Sequence, residues 1–183
     1  MMKRGNSRPP AIDRTEAQRF LRHFPRPCFS FQTFDESPRK NRALTRLLHG
    51  SFEQHADELE ALNKQGAGVY STVNETNGTG RTEDDIVAVS ALFVDLDGAP
   101  LEPVLAHPVP PHIVVATSPG RWHAYWLTND CPLDRFKDAQ KRLIQTFGSD
   151  PAVCDLPRVM RLPGFLNQKA SPFLCHIIHE SQS

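Results

Sequence analysis

Several features are missing from this 183-residue chain, and each absence excludes a class of protein. No apolar run approaches the roughly 20 residues that a membrane-spanning helix needs. The basic first ten residues lack the apolar segment of a secretory signal peptide. The four cysteines show no Cys-x-x-Cys spacing, which argues against a zinc knuckle and favours reduced thiols in a cytosolic compartment. We therefore expect a cytoplasmic protein with no membrane partner, a flexible basic tail at residues 1–12 and one domain at residues 13–183.

The net charge is also zero, with 21 basic and 21 acidic residues, but the charges are unevenly distributed. Residues 1–50 hold 11 Lys or Arg against 4 Asp or Glu, and residues 51–110 hold 2 against 11. Residues 111–183 hold 8 basic against 6 acidic residues. An acidic centre between basic segments suits a metal site approached by a polyanion, and it suits a mixed surface equally well.

The most informative stretch runs from Ile86 to Gly98. It begins as a nearly apolar run of the length and composition of a buried strand, and it ends in Asp-Leu-Asp-Gly. Because strand side chains alternate, Asp95 and Asp97 point to one face and Leu96 to the other. Neighbouring carboxylates repel each other and are the ligands that Mg²⁺ prefers. An acidic strand end in solvent is the alternative, but the position at the mouth of a buried strand favours a metal site.

A hairpin is predicted from two short strands, residues 113–116 and 122–127, joined by a turn at residues 117–120. Alternation places His123 and Tyr125 on one face of the second strand, and the two tryptophans of the chain on the other. A histidine next to a turn with backbone N–H groups and an arginine could cradle a triphosphate. A half-buried strand histidine with a purely structural role is the alternative.

The remaining pattern alternates helices and strands. Capping boxes begin predicted helices at Thr15 and Ser51, and a third helix covers residues 133–147. Further strands are predicted at residues 27–34, 68–74 and 173–178. Residues 99–111 are rich in proline and are predicted to form neither helix nor central strand.

Two other segments carry clustered charge. Residues 35–50 are predicted to be mostly loop, and their basic residues are either a solvated connection or a contact to a template backbone: Arg39, Lys40, Arg42 and Arg46. Residues 150–169 combine acids, arginines and a lysine with proline and glycine, which indicates an ordered functional loop.

Four motifs in order carry a resemblance to a known family. They are Gly-Val-Tyr-Ser-Thr-Val-Asn at 68–74, Phe-Val-Asp-Leu-Asp-Gly at 93–98, Ser-Pro-Gly-Arg-Trp-His-Ala-Tyr-Trp at 118–126, and Asp-Leu-Pro-Arg-Val-Met-Arg-Leu-Pro-Gly-Phe-Leu-Asn-Gln-Lys at 155–169. From about Phe29 to Ile178 the chain resembles the archaeo-eukaryotic primase superfamily, and within it the RepB-like primases of plasmids and phages. The resemblance implies an α+β fold with an RRM-like mixed or antiparallel sheet flanked by helices.

The resemblance also implies roles for single residues. Two divalent ions, Mg²⁺ or Mn²⁺, would be bound by Asp95, Asp97 and a third carboxylate. That third residue is most plausibly Asp155, with Asp150 as the fallback. His123 would contact the phosphates of the incoming nucleotide, and Arg161 and Lys169 would neutralise triphosphate or template charge. Ser118 and Arg121, in the turn next to His123, are the further nucleotide-binding candidates that the residues themselves offer.

The implied activity is that of a DNA primase or primase-polymerase, a two-metal nucleotidyltransferase that uses nucleoside triphosphates on a single-stranded DNA template in plasmid or phage replication. Tyr125 or Trp122 is a candidate platform for stacking a template base, and a replicative helicase or initiator is a candidate partner. No helicase or helical primer-binding region is evident after the last strand. We therefore expect nucleotidyl-transfer chemistry, whereas autonomous primer initiation does not follow from the resemblance.

Two other functions stay open from the residues. Phe93 to Gly98 also looks like the first motif of haloacid-dehalogenase-type phosphatases, in which the first Asp is a nucleophile. That assignment leaves His123 and the segment from Arg161 to Lys169 without a role. A catalytically silent DNA-binding module is the other alternative, and intact Asp95, Asp97 and His123 argue against it.

Overall fold

Two four-stranded antiparallel sheets organise the chain. They are seen in a computed structural model that describes residues 10–181. The helices are α1 (Arg14–Leu21), α2 (Phe52–Lys64), α3 (Glu102–Leu105) and α4 (Leu133–Phe147). The strands of the first half are β1 (Phe29–Asp35), β2 (Arg46–Gly50), β3 (Ala67–Thr72), β4 (Glu75–Thr76), β5 (Ile86–Ala88) and β6 (Ala91–Asp97). Those of the second half are β7 (Ile113–Ser118), β8 (Arg121–Leu127), β9 (Val159–Arg161), β10 (Leu166–Asn167), β11 (Phe173–Leu174) and β12 (His176–Glu180).

The first sheet has the strand order β2-β1-β3-β9, and the second has β12-β7-β8-β6. Two short ribbons, β4 with β5 and β10 with β11, lie beside them. All pairings are antiparallel. The predicted α+β class, with antiparallel sheets flanked by helices, is therefore confirmed.

One large hydrophobic core joins the two sheets, because it takes side chains from both of them and from α1 and α2. Phe31 of β1, Phe93 of β6 and Tyr125 of β8 are completely buried in it. A smaller core covers the opposite face of the second sheet, where Leu96 and Trp126 pack with residues of α3 and α4. Since β6 and β8 have an apolar neighbour on each face, they are buried along most of their length and exposed only where β6 ends.

Several predicted boundaries are confirmed. The side chain of Ser51 and that of Gln54 form the reciprocal capping bonds at the start of α2. The hairpin β7–β8 turns at Gly120, whose φ of +74° is readily adopted only by glycine. Helix α4 ends at Gly148 in the left-handed conformation.

Other boundaries were predicted wrongly. Helix α1 is capped by Asp13, whose carboxylate accepts bonds from two backbone N–H groups, so Thr15 already lies inside the helix. The predicted strand from Ile86 divides into β5 and β6, because the N–H of Ser90 donates to the side chain of Asn74 and not to a strand. The predicted basic tail lies outside the described residues for positions 1–9, and positions 10–12 precede α1.

Two predicted loops contain regular structure. Strand β2 forms within residues 35–50 because it pairs with β1, and its own sequence does not alternate between apolar and polar residues. Helix α3 forms in the proline-rich connection, where Pro103 occupies the first turn. A proline is tolerated there because the first N–H groups of a helix have no intrahelical partner.

Candidate active site

Strands β6 and β8 bring the two acidic residues and the histidine together. Their register pairs Asp95 with His123 and Asp97 with Arg121. Residues directly opposite each other in a sheet point to the same face. Two carboxylates, an imidazole and a guanidinium therefore share one face, while Leu96 points into the smaller core as predicted.

Asp95 lies in an unfavourable electrostatic environment. Its side chain is only 29% exposed. Burial, followed by the negative charges of Asp97 and Asp150, raises the pKa of Asp95 to about 6, and the positive charges of Lys169 and Arg161 oppose this rise only in part. A bound divalent cation would relieve that repulsion, so the donor set fits a hard metal ion.

Two carboxylates are the metal-binding groups that this face offers. Within residues 10–181 no three His, Cys, Asp or Glu side chains converge closely enough to hold a metal ion by themselves. Asp95 and Asp97 offer two carboxylates on one face. The remaining ligands would have to be water, phosphate oxygens of a substrate, or a nearby acid after a small movement.

His123 is a neutral imidazole. Burial, and then the positive charges of Arg161 and Lys169, lower its pKa to about 3. Its Nε2 lies 3.8 Å from Oδ1 of Asp95, which is too long for a hydrogen bond. Its Nδ1 lies 3.4 Å from the hydroxyl of Tyr125. A neutral histidine can present one N–H donor to a phosphate without carrying a charge into the core.

Arg121 and Ser118 flank the turn of the β7–β8 hairpin. The Nε of Arg121 lies 2.8 Å from Oδ1 of Asp97, and both side chains are more than half exposed. Such exposed pairs contribute little to stability, so Arg121 can exchange Asp97 for another anion at little cost. Ser118 is partly exposed at the end of β7. Both predicted residues thus lie at the rim of the acidic face.

The two candidate third acids occupy different environments. The backbone N–H of Asp150 donates to the carbonyl of Asp95 at 3.2 Å, and the charge of Asp150 acts on Asp95. The carboxylate of Asp155 instead forms an ion pair with Arg158. Asp150 is therefore the acid that the fold brings close to Asp95.

Arg161 is buried and is bound to an acid that the sequence analysis did not single out. Its guanidinium forms a two-pronged ion pair with Glu36, one arm of which measures 3.2 Å, and lies 4.9 Å from the centre of the Tyr70 ring. Glu36 also accepts bonds from the Tyr70 hydroxyl at 2.6 Å and from the backbone N–H of Gln168 at 2.7 Å. Arg161 acts on Asp95 and His123 through its charge, while its donors contact Glu36.

Lys169 is the next residue along the chain after Gln168, which Glu36 binds. It is exposed, and its charge acts on both Asp95 and His123. The segment before it is held by Glu36 at Gln168 and by a bond of 2.8 Å from the side chain of Asn167 to the carbonyl of Thr117. The fold thus places Lys169 where its charge acts on the acidic face.

A buried amide that was not predicted from the sequence, Asn63, supports the same segment. Asn63 is fully buried, and its side chain bonds both the N–H and the carbonyl of Leu166 at 2.9 and 2.8 Å. Its position four residues after Leu59, on the buried face of α2, was the available signal.

The predicted stacking platforms are not available. Tyr125 is completely buried in the larger core, so the prediction that it stacks a template base is wrong. Trp122 lies on the face of β8 opposite His123 and packs against the smaller core, so it cannot serve the acidic face either.

No helix in the described part of the chain has both the length and the apolar character needed to cross a bilayer.

Comparison with known proteins identifies relatives in both sequence and fold. Residues 71–177, more than half of the chain, match the family described as the RepB DNA-primase N-terminal domain. A replication protein of Clostridium perfringens is 28% identical over 134 residues, which are 62% of this chain and 32% of that protein. The chain thus spans about a third of the length of this curated relative.

Two solved structures share the fold. The AEP domain of the primase-polymerase of cyanophage S-2L matches with a TM-score of 0.74 and 21% identity, over 94% of this chain and 92% of that one. The catalytic domain of primase RepB′, solved in complex with initiator DNA, matches with a TM-score of 0.65 and 20% identity, over 91% of this chain and 84% of that one. The fold is therefore that of primase catalytic domains.

Proposed function

The chain belongs to the RepB DNA-primase family, and from that premise we propose that it is a DNA primase or primase-polymerase. It would join nucleoside triphosphates on a single-stranded DNA template. The observation that carries the proposal is the pairing of Asp95 with His123 and of Asp97 with Arg121 on one face. That arrangement combines acids for metal ions with donors for a triphosphate.

Asp95 and Asp97 are the residues that would hold two divalent ions, Mg²⁺ or Mn²⁺. Bound ions of this kind supply activation of the attacking 3′-hydroxyl and neutralisation of the phosphates and the leaving pyrophosphate. We infer that Asp150 is the third acid, because its backbone is bonded to Asp95 and its charge reaches that carboxylate. The alternative third acid, Asp155, is held by Arg158.

The other residues bind and orient the nucleotide. His123 donates its N–H to a phosphate oxygen as a neutral imidazole, because burial lowers its pKa. The guanidinium of Arg121, which now forms only an exposed pair with Asp97, would be available to pair with a phosphate if Asp97 held a cation. Lys169 adds a positive charge above the same face, and Ser118 adds a hydroxyl at the turn. Arg161 supports the site through its charge and through Glu36.

Primer synthesis tests this proposal. The purified chain is incubated with single-stranded DNA, labelled nucleoside triphosphates and Mg²⁺ or Mn²⁺, next to Asp95→Asn and His123→Ala. Short oligonucleotides are expected from the wild type. The activity should fall at least about 100-fold in both variants, because the metal ligands and the hydrogen-bond donors stabilise the transition state. Asp84→Asn, which removes an exposed acid in the turn before β5, is the matched control.

Other outcomes separate the alternatives. Extension of a supplied primer without synthesis from single nucleotides would mean that initiation requires a further domain or a partner such as a helicase or initiator. DNA binding without any nucleotide transfer would favour the catalytically silent module. Hydrolysis of a small phosphomonoester that depends on Asp95, without nucleotide transfer, would favour the phosphatase and overturn the proposal.

A further inference from the structure

Two large apolar side chains are exposed next to each other on the first sheet. Phe34 of β1 is 38% exposed and Leu47 of β2 is 39% exposed. Leu47 pairs with Gln32, which lies two residues before Phe34, so both apolar side chains are on the same face of the sheet. Phe31 points to the other face and packs on Phe52 of α2. The exposed face is therefore the one turned away from α2, and we call it the outer face.

The loop that follows Phe34 presents positive charge at the end of this face. Arg39, Lys40 and Arg42 are exposed, and none of them forms an ion pair with any residue between positions 10 and 181. Lys40 has a φ of +50°, a conformation that is uncommon for residues other than glycine. The fourth basic residue of the segment, Arg46, lies 3.8 Å from Glu58 of α2 and so belongs to the opposite face.

The acids beside these cations are engaged elsewhere. Asp35 accepts bonds from the backbone N–H groups of Ser37 and Asn41, at 2.8 and 2.6 Å, and is buried in the loop that it organises. Glu36 is buried against Arg161. The charge of Lys40 acts on Asp35, but none of the three cations forms a direct ion pair with these acids, whose oxygens are bound by other groups.

The outer face leads to the candidate active site. Tyr70 of β3 pairs with Gln32 on one side and with Arg161 on the other, and the three residues form a row across the sheet. Phe34 contacts the middle residue of this row, with its ring centre 5.7 Å from that of Tyr70. At the far end, the charge of Arg161 acts on Asp95 and His123.

We propose that Phe34 and Leu47, together with Arg39, Lys40 and Arg42, form the surface that holds the single-stranded DNA template. The inference rests on the proposed function. An exposed ring beside unpaired cations suits a strand whose unpaired bases stack and whose phosphates need neutralising. The three exposed cations beside the apolar patch favour a polyanion over a protein partner. A paired duplex is disfavoured because it offers no free base to stack on Phe34.

Binding of a fluorescent oligothymidylate, followed by anisotropy without nucleotides or metal ions, tests the surface separately from catalysis. Phe34→Ala should bind about 5- to 100-fold more weakly, which corresponds to the loss of one stacked base. Phe34→Trp should bind at least as tightly as the wild type. Ile178→Ala removes an equally exposed apolar side chain from the second sheet and should leave binding unchanged.

The cations have their own readout. Replacing Arg39, Lys40 and Arg42 together by glutamine should lower the slope of log affinity against log salt by about 2, because three phosphate contacts to a single strand are lost. Arg22 is an exposed arginine at the end of α1, so Arg22→Gln should leave the slope of log affinity against log salt unchanged.

The outcomes separate this proposal from the proposed function. If the wild type makes primers and the Phe34 and cation variants bind DNA as it does, the template lies elsewhere and the inference fails alone. If the wild type neither binds the oligonucleotide nor makes primers, both proposals fail. If Phe34→Ala changes the molar mass in light scattering and not DNA binding, the outer face is a protein interface and the inference is overturned.

Discussion

The side-chain amide of Gln140 bonds both backbone polar groups of Phe93 and so takes the place of a neighbouring strand. Its Oε1 accepts from the N–H of Phe93 at 3.1 Å, and its Nε2 donates to the carbonyls of Phe93 and Val153, the latter at 2.9 Å. Strand β6 is at the edge of its sheet, so these groups would otherwise be buried without partners. The bond from Asp150 to Asp95 continues the same edge. Helix α4 and the segment after it therefore fix the strand that carries the acids.

Gln140→Leu is expected to destabilise the protein by about 3 kcal/mol, because it leaves several buried backbone groups without hydrogen bonds. Urea unfolding measures the loss. Gln145→Leu, on the exposed side of the same helix, should change stability by less than about 0.5 kcal/mol. Equal stability of the two variants would mean that the edge of β6 is satisfied in another way.

The role of Gln140 was within reach of the sequence but is not among the predictions made from it. Phe136, Gln140 and Ile144 are spaced four residues apart and are all buried on one side of α4. A glutamine within an apolar stripe must have hydrogen-bond partners in the core. The sequence cannot name those partners, because Phe93 lies 47 residues earlier in the chain.

Asp95→Asn is expected to raise stability while it removes activity. The change removes a half-buried negative charge that is repelled by Asp97 and Asp150, so the thermal midpoint should rise by about 2 to 4 °C. Mn²⁺ should raise the midpoint of the wild type and leave that of the variant almost unchanged, since binding stabilises only the form that binds. Asp84→Asn, as the control, should keep the response to Mn²⁺. A variant that still responds like the wild type would show that Asp95 does not bind the ion.

Part of the acidic face could be predicted because its geometry is local. Alternation along β6 is sufficient to place Asp95 and Asp97 on one side of that strand, but only the pairing of β6 with β8 adds His123 to the same face. The Glu36–Arg161 pair could not be predicted, because its members are 125 residues apart and neither has a distinctive neighbourhood in sequence. Strand β2 was missed for a related reason, since its pairing with β1 decides its conformation.

Glu36→Gln is expected to lower stability by about 3 kcal/mol at neutral pH, because it leaves the buried charge of Arg161 without a counter-charge. The loss should depend on pH. Burial opposes ionisation of Glu36, but the bonds and charge of Arg161, with those of Tyr70 and Gln168, lower its pKa below the ordinary 4.5. A carboxyl group whose pKa is lowered by folding contributes its full stabilisation at pH values above its unfolded-state pKa. That contribution is lost as the pH falls through the folded-state pKa.

The difference in unfolding free energy between wild type and Glu36→Gln should therefore be constant from neutral pH down to about 4.5 and should shrink below it. Denaturant unfolding over a pH series measures this. Glu58→Gln, which removes the exposed partner of Arg46, should cost less than about 1 kcal/mol. A difference that grows in acid would contradict an ionised Glu36 in the folded protein.

Asp150 and Asp155 can be distinguished by paired amide variants. Asp150→Asn keeps the backbone bond to Asp95 and can keep the side-chain bond to the N–H of Ala152, so it removes little except the charge next to Asp95. We expect it to reduce nucleotide incorporation about 10- to 100-fold, as the loss of a group that supports a metal site does. Asp155→Asn weakens only a partly exposed pair with Arg158 and should leave incorporation within about threefold of the wild type. Steady-state incorporation on a primed template, with urea midpoints to verify folding, makes the comparison. The reverse order of effects would assign the third carboxylate to Asp155 and would require its release from Arg158 when substrate binds.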